Sequence, residues 1–504
     1  MRVYGGRSAG CFAILLAFML IGSVETTSAQ GAVSSQNALS RAIERIIDAP
    51  GVSSGHWGIH IVEAATGTVL YSRNEDRGFV PSSNQKLFTT AVALDLLGPD
   101  FRYLTGLYAA GTVSDERLSG DLIIRGSGDP TFGGRFEGGD PMRILRLWAD
   151  SVAAAGISTV GGDIVYDASI FSGPPYGPGW AWDDIPARYA AEVSGLQFNE
   201  GILDLYVRGT QAGRHGVISW TPSVTGLLEI QNQTTTLESG ATGRASSTRP
   251  LFANTFVVSS TVAPGATVRE QVSVHNPAEF FSQALLLSLR ERGVSVQGRV
   301  RPIEPDEARQ YVGAFRVASY RSVRLVDIVE QTNKDSNNVY AEHLIRSVGA
   351  YRFQGGGDIG SLDAGFSSAE PFFRRAGVNL EMSRFVDGSG MSFMNMVSPR
   401  DVTNLLLHMH RHPDTSVRQA FRSSLPIGGI DGTLRNRYGS GLARDNVRAK
   451  TGFITGSRTL SGYVMASGGR MLVFSLLVNQ YGVSTSRINA AQDELVEALA
   501  RYRP

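Results

Sequence analysis

The amino-acid sequence predicts an α/β (α+β) fold, in which helices flank an antiparallel sheet and a mostly β region interrupts the domain. Both ends of the chain combine a hairpin of short apolar strands with an amphipathic helix, and the middle lacks that combination. The length is sufficient for such an interrupted domain, because 504 residues leave room for two to four domains at about 150 residues each. With 42% hydrophobic residues, the chain can bury a large core.

The elements at the two ends are indicated by hydrophobic spacing and by turn residues between the apolar runs. They are a helix over 35–47, a hairpin of 57–62 with 69–71, a hairpin of 462–466 with 471–476, and a helix over 488–502. Because the ends look alike, we expect one domain built from residues 30–104 and 276–504. Between them, 105–275 is predicted to be an inserted, mostly β domain or pair of domains, since short β-rich runs there alternate with Gly, Pro and Ser turns.

The N-terminus is typical of a secretory signal peptide. Arg2 and Arg7 precede an apolar run over 11–21, and small residues follow up to Ala29. The run is too short for an ordinary membrane span. We therefore predict a signal peptide over 1–29, export to the periplasm or a cell-wall-facing extracellular space, and no transmembrane span in the mature chain.

Charge and cysteine content exclude several classes of function. The net charge is +1 and 18% of residues are charged, so nucleic acid is not an expected partner. The one cysteine, Cys11, lies in the predicted signal peptide, which excludes a disulfide framework, a thiolate zinc cluster and a cysteine nucleophile in the folded body. The sequence leaves the oligomeric state open.

Lysine is rare in this chain: the 47 basic residues comprise three lysines and 44 arginines. The three are Lys86, Lys334 and Lys450. Lysine can lose its proton and act as a base, whereas arginine stays charged. Each lysine is therefore a candidate for a role that arginine cannot fill.

Lys86 follows Ser83 by three residues at the start of a predicted buried helix that ends near Gly98. Residues i and i+3 are neighbours on a helix, with Cβ atoms about 5–6 Å apart. A lysine with a lowered pKa can take the proton of a serine hydroxyl and make it a nucleophile. By itself, this pair also fits an ordinary serine and a surface lysine on an amphipathic helix.

The other two lysines also stand in polar motifs. Lys450-Thr451-Gly452 precedes an apolar hairpin, which favours a strand at a sheet edge where an extended peptide could bind. Lys334 precedes Ser336 and Asn338, a hydroxyl and an amide just ahead of a helix, although a helix cap alone would explain them. Each motif is weak alone.

Together, S-x-x-K, S-x-N and K-T-G form the set of active-serine β-lactamases and penicillin-binding proteins. About 250 residues separate Ser83 from Ser336, more than a compact β-lactamase has there. The chain resembles the class C low-molecular-mass penicillin-binding proteins, the D-alanyl-D-alanine carboxypeptidases/endopeptidases, over essentially its whole mature length. Further segments similar to that family are 126–132, 180–184 with Tyr189, 387–390, 398–400 and 431–434. Phe393 departs from the family, where Arg is common at that position, and the bulky Phe453 follows K-T-G.

The resemblance implies a β-lactamase/transpeptidase-like domain and a mechanism without metal or organic cofactor. It implies that Ser83 is the nucleophile and Lys86 its base, that Ser336 passes a proton to the leaving amine, and that Asn338 orients the substrate. In the K-T-G strand it implies roles in electrostatics and substrate binding for Lys450, Thr451, Gly452 and Phe453. The implied substrates are peptidoglycan peptides, with β-lactam antibiotics as covalent inhibitors.

Three other interpretations stay open from the residues. A β-lactamase would use the same constellation, and a non-catalytic cell-wall-binding protein could keep the fold alone. A metal enzyme would rest on His408, His410 and His412, but the helix dipole explains a basic last turn as well. Asp129 and the 180–182 tryptophan segment are interpreted as structural packing and are left out of the site.

Overall fold

The computed structural model describes residues 35–503, except 306, 308–310, 312, 356 and 357. The predicted signal peptide and Cys11 lie outside the described residues. Helices are α1 (Gln36–Ile47), α2 (Gln85–Leu97), α3 (Arg143–Ala154), α4 (Pro277–Glu291), α5 (Leu325–Lys334), α6 (Asn338–Arg352), α7 (Leu362–Arg375), α8 (Pro399–His410), α9 (Thr415–Ser424) and α10 (Thr485–Arg501).

The strands are as follows: β1 (His56–Glu63), β2 (Val69–Arg73), β3 (Leu104–Ala110), β4 (Val113–Ser114), β5 (Arg117–Leu118), β6 (Asp121–Arg125), β7 (Thr159–Val160), β8 (Ile164–Asp167), β9 (Ile202–Arg208), β10 (Val217–Thr221), β11 (Glu229–Asn232), β12 (Thr235–Thr236), β13 (Ser247–Thr248), β14 (Thr255–Val258), β15 (Thr261–Val262), β16 (Thr267–Ser273), β17 (Ser295–Val296), β18 (Val300–Pro302), β19 (Phe315–Arg321), β20 (Arg448–Ile454), β21 (Ser457–Met465) and β22 (Met471–Asn479).

A five-stranded antiparallel sheet joins the two ends of the chain in the order β2-β1-β22-β21-β20. The predicted hairpins are β1 with β2 and β21 with β22, and β1 pairs with β22 along its whole length. Strand β20, which carries the K-T-G motif, forms one edge. The antiparallel sheet predicted from the sequence is therefore confirmed, and so is the edge position of Lys450.

Helices cover both faces of this sheet, as the sequence predicts. On one face, α1 and α10 contribute Leu39, Ile43, Leu495 and Leu499 to an apolar cluster with the sheet. On the other face, α2 lies among α5, α6, α8 and α9 in a second cluster. Strands that are covered on both faces do not need to alternate apolar and polar residues. Strand β22 is accordingly apolar over 471–478 except at Ser475, and seven of the eight residues of β1 are buried.

The middle of the chain has a separate apolar core, with the sheet β18-β8-β6-β3-β19 and the helices α3 and α4 around it. This core extends past residue 275, because α4, β18 and β19 belong to it. The described residues nevertheless form one compact unit, so the boundaries at 105 and 275 stay predictions. Every helix within the described ranges is too short or too polar to cross a bilayer.

Candidate active site

Ser83 lies in a 3-10 turn, Ser82–Asn84, that leads directly into α2. The helix is buried on nearly all sides, so Lys86 in its first turn is buried as well. Lys86 Nζ donates a hydrogen bond of 3.0 Å to Ser83 Oγ. The structure therefore brings the two residues of the S-x-x-K motif into direct contact.

Lys86 Nζ also donates to two groups on other elements. It lies 2.6 Å from Asn338 Oδ1 and 2.6 Å from the carbonyl oxygen of Ser389. Burial lowers the pKa of Lys86 to about 7, and the carboxylates of Asp387 and Glu342 oppose this shift. A substantial fraction of this amine is thus neutral near pH 7, as a general base requires.

Ser336 and Asn338 lie where α5 gives way to α6. Ser336 has a φ of +57°, a left-handed conformation that turns the chain sharply before Asn337 caps α6. Asn338 Nδ2 donates a 2.8 Å hydrogen bond to the carbonyl oxygen of Tyr189, in the middle region of the chain. This contact connects the candidate site to the predicted insertion.

Lys450 approaches Ser336 from the edge strand β20. Its Nζ donates to Ser336 Oγ at 2.9 Å and to the Thr451 carbonyl oxygen at 3.0 Å. Burial and the nearby Lys86 hold the pKa of Lys450 well below its ordinary range. Thr451 Oγ1 donates to Thr433 Oγ1 at 2.7 Å. The second and third motifs are thus joined by a direct hydrogen bond.

Gly452 allows strand β20 to pack closely against the turn that holds Ser83. A Cβ atom at this position would lie 2.1 Å from Thr459 Oγ1 and 3.0 Å from the Pro81 carbonyl oxygen. Real Cβ atoms do not come within 3.0 Å of other atoms, so a side chain here would displace the Thr459 hydroxyl of β21, which donates to the Pro81 carbonyl oxygen at 2.8 Å. Steric crowding therefore explains why the third residue of the K-T-G motif is glycine.

These residues surround a cavity of about 390 Å³. Ser83, Ser336, Asn338 and Phe453 line it directly, and Lys86 and Lys450 lie buried behind them. The remaining lining consists of Ala181, Asp183, Asp184, Tyr189, Gly390, Met391, Phe393, Ile454 and Thr455. All eight residues singled out from the sequence therefore come together at one cleft or its wall.

Two buried carboxylates beneath Lys86 were missed by sequence reasoning. Glu342 accepts a 2.8 Å hydrogen bond from the Ser389 N–H, and it pairs with the buried Arg346 at 3.1 Å. Asp387 accepts backbone hydrogen bonds that shape the 387–392 turn. Asp387 belongs to a segment that was noted for its similarity to the family. Glu342 has no such signal, because in the sequence it looks like any charged residue on a helix.

Lys334, whose role the sequence left open, forms an ion pair with Asp431. Asp431 also accepts a 2.8 Å hydrogen bond from the Ile427 N–H, and it precedes Thr433 in the same turn. The pair fixes this turn against the end of α5, close to Ser336. Lys334 therefore has a structural role next to the site. Its partner Asp431 was noted in the sequence only as part of the family-like segment 431–434.

The histidines at the end of α8 and just after it are engaged with neighbouring side chains. His412 Nε2 lies 2.9 Å from Asp95 Oδ1, its Nδ1 accepts from the Asp414 N–H, and the His408 ring packs edge-on against Phe372. Within the described ranges, no group of three or more His, Cys, Asp or Glu side chains is arranged to hold a metal ion. His410 packs near the Tyr463 ring.

The residues interpreted as packing give a mixed result. Asp129 is buried and accepts hydrogen bonds from Thr131. Trp180 Nε1 donates to Asp387 at 2.8 Å, so it supports the wall of the site. Trp182 is 79% exposed, and the packing interpretation is wrong for that side chain.

Comparison with known proteins identifies the family. The model of the D-Ala-D-Ala carboxypeptidase 3 (S13) family matches residues 39–502. The chain belongs to this family of serine peptidases. The resemblance predicted from the three motifs is confirmed, as is the class of enzyme.

Relatives of this S13 family member cover most of its length. It is 31% identical to a D-alanyl-D-alanine carboxypeptidase of Actinomadura sp. (strain R39), over 91% of this chain and 84% of that protein. It is 24% identical to the carboxypeptidase DacB of Haemophilus influenzae, over 85% of this chain and 86% of that protein. The crystal structure of penicillin binding protein 4 from H. influenzae superposes with a TM-score of 0.78 at 22% identity, covering 92% and 99% of the two chains. The predicted transpeptidase-like fold is confirmed.

Proposed function

We propose that this S13 family member hydrolyses peptidoglycan stem peptides as a serine-type D-Ala-D-Ala carboxypeptidase and/or endopeptidase, through an acyl-enzyme on Ser83. The observation that carries the proposal is the 3.0 Å hydrogen bond between Lys86 Nζ and Ser83 Oγ. The lowered pKa of the buried Lys86, about 7, makes this amine a competent base.

In the acylation step, Lys86 takes the proton of Ser83 Oγ, which attacks the carbonyl carbon between two D-alanines. Ser83 and Phe453 both line the cavity. Their backbone N–H groups stabilise the negative oxygen of the tetrahedral intermediate. Losing one such donor typically costs about 10²–10³ in rate. The carbonyl thus sits between the helix start and strand β20.

Collapse of the intermediate breaks the peptide bond, and the leaving amine takes a proton from Ser336 Oγ. Lys450, 2.9 Å from that hydroxyl, stabilises its negative charge until the proton returns from Lys86. Asn338 orients the substrate amide while it holds Lys86 Nζ. Thr451 binds the carboxylate of the leaving residue.

Water then attacks the ester carbonyl while Lys86 accepts its proton. The ester bond breaks as Lys86 returns that proton to Ser83 Oγ, which releases the peptide acid and restores the enzyme. Side chains carry every proton transfer, and side chains with backbone amides stabilise every charge. The mechanism therefore uses no metal or organic cofactor. A β-lactam would acylate Ser83 in place of the peptide. The H. influenzae penicillin binding protein 4, which shares the fold, has been crystallised with a β-lactam.

The substrate lies outside the cytoplasm, so the proposed function requires export. The predicted signal peptide over 1–29 supplies it, with cleavage near Ala29 and action in the periplasm or cell-wall space. N-terminal sequencing of the exported protein is expected to start just after residue 29. A start at Met1 would contradict this part of the proposal.

The function is tested with acyl-D-Ala-D-Ala peptides and with purified cross-linked muropeptides. We expect the purified protein to release D-alanine from the first or to separate stem peptides in the second, and penicillin to block both. The Ser83→Ala variant serves as the matched inactive control. The proposed function would be rejected if Ser83→Ala kept both activities, or if the unaltered protein hydrolysed neither substrate.

A further inference from the structure

A second cavity, of about 290 Å³, adjoins the candidate active site. Ser336 and Asn338 line both cavities, whereas Ser83 lines only the first. Thr433, which is hydrogen-bonded to Thr451 at 2.7 Å, lines the second cavity. The second cavity therefore lies on the side of Ser336 and Thr451, away from the nucleophile.

Two arginines in this cavity have no anionic partner among the residues that the structure describes. Arg188 and Arg435 are exposed, and their side chains make neither an ion pair nor a hydrogen bond there. The other cations of the cavity are engaged: Arg135 with Glu200 and Asp335, and Lys334 with Asp431.

Both arginines sit on backbone that is tied to the active site. Arg188 precedes Tyr189, whose carbonyl oxygen accepts the 2.8 Å hydrogen bond from Asn338. Arg435 comes two residues after Thr433, at the end of the turn that contacts Thr451. Their backbone positions are therefore fixed next to the reaction centre, and both residues line the second cavity.

The side chains that line the two cavities directly carry opposite net charges. The active-site cavity has the carboxylates of Asp183 and Asp184 beside the apolar Met391, Phe393 and Ile454. The lining of the second cavity has an excess of positive charge, because four cations, Arg135, Arg188, Lys334 and Arg435, face two carboxylates, Glu200 and Asp335. Opposite signs on the two sides of the scissile bond would orient a charged peptide in one direction only.

We propose that the second cavity is a leaving-group subsite, in which Arg188 and Arg435 bind a carboxylate of the departing residue beyond the one that Thr451 binds. This inference rests on the proposed function, since Ser336 as proton donor to the leaving amine places the departing residue on its side. A guanidinium fork matches a carboxylate in bidentate geometry. The substrate class is thus a peptide whose departing residue bears a second carboxylate.

The test compares departing residues that differ only in charge. Acyl-D-Ala-D-Glu and acyl-D-Ala-D-Gln are hydrolysed in parallel, together with the longer pair made from D-2-aminoadipate and its amide. We expect kcat/KM to favour the acid over the amide by about tenfold for at least one pair, because the guanidinium groups form charge-assisted hydrogen bonds with the carboxylate and not with the amide. The preference should shrink at high salt.

The variant Arg188→Ala/Arg435→Ala should reduce the acid-to-amide ratio to about one. Each ratio is taken within one protein preparation, so a general loss of activity cancels. Arg41→Ala, which removes an exposed arginine on α1, is the matched control and should keep the native ratio. A native ratio near one for both pairs, or a ratio that survives in the double variant, overturns the subsite.

Acylation by penicillin separates the two levels of inference, because penicillin has only one carboxylate and lacks the second one that this cavity is proposed to bind. If penicillin fails to acylate Ser83, the proposed function is rejected. If it acylates Ser83 while the acid-to-amide ratio is near one, only the leaving-group subsite is rejected.

Discussion

The carboxylate of Glu342 accepts a 2.8 Å hydrogen bond from the backbone N–H of Ser389, the residue whose carbonyl oxygen binds Lys86 Nζ at 2.6 Å. Glu342 is itself paired with Arg346 at 3.1 Å, and both side chains are buried. A chain of contacts thus runs from a buried ion pair to the amine of Lys86, and it fixes where that amine lies.

Replacing Glu342 with Gln should destabilise the protein strongly, because it leaves Arg346 buried without its counter-charge. We expect a loss of about 3–5 kcal/mol in the free energy of unfolding, measured by denaturant titration at pH 8. Burial and Asp387 raise the pKa of Glu342 to about 7, so at pH 8 its carboxylate is ionised. The same change in the exposed pair of Glu370 with Arg374 should cost no more than about 0.5 kcal/mol. Equal effects at both positions would contradict this interpretation of the buried pair.

Acylation by penicillin should depend on pH through Lys86. Its pKa of about 7 means that the neutral amine dominates above pH 7 and the protonated amine below it. Because only the neutral amine can accept the serine proton, the acylation rate should rise with pH, level off above about pH 8, and fall about tenfold per unit well below pH 7. Stopped-flow rates between pH 5 and 9 check this. A rate that stays flat from pH 5.5 to 8 would exclude Lys86 as the base.

Lys450 and Lys334 should respond differently to replacement by arginine. Lys450 is buried between Ser336 and the Thr451 carbonyl, where a larger, permanently charged guanidinium does not fit. We expect Lys450→Arg to slow acylation about 10²-fold, as displacement of a reacting group by about 1 Å does. In Lys334→Arg, the ion pair with Asp431 can re-form, so the rate should change less than about threefold. Similar losses in the two variants would show that the role of Lys334 is underestimated.

Gly452→Ala should disturb the contact between the sheet edge and the turn that holds Ser83. Its Cβ would lie 2.1 Å from Thr459 Oγ1 of β21, the hydroxyl that donates to the Pro81 carbonyl oxygen at 2.8 Å, so both the melting temperature and the acylation rate should fall. Gly439 is the matched control, because a Cβ there meets nothing within 4 Å. Gly439→Ala should leave the acylation rate as it is and change stability by no more than about 1 kcal/mol. An acylation rate unaffected by Gly452→Ala would show that this close approach is not needed.

The sequence predicted those parts of the site that are encoded in short motifs. Ser83 and Lys86 are neighbours because helical spacing makes residues i and i+3 neighbours, and Lys450 lies on an edge strand because polar residues precede an apolar hairpin there. The pairing of both chain ends in one sheet was predicted because each end carries a hairpin and an amphipathic helix.

What sequence reasoning missed are contacts between residues that are distant in the chain. Glu342 and Ser389 are 47 positions apart, and Lys334 and Asp431 are 97 apart. A buried carboxylate has no local signature that separates it from a solvated one on a helix. The extent of the middle core is another example, because α4 reads as an ordinary amphipathic helix and only its packing assigns it to that core.

The most direct test of the account is intact-mass spectrometry after treatment with benzylpenicillin, followed by peptide mapping. We expect one adduct with the mass of the whole antibiotic, attached to Ser83 and absent in Ser83→Ala. Ser82→Ala is the control, because the Ser82 hydroxyl donates to Ser457 and not to Lys86. This variant should still form the adduct. An adduct that persists in Ser83→Ala, or no adduct on the native sequence, would contradict the assignment of Ser83 as the nucleophile.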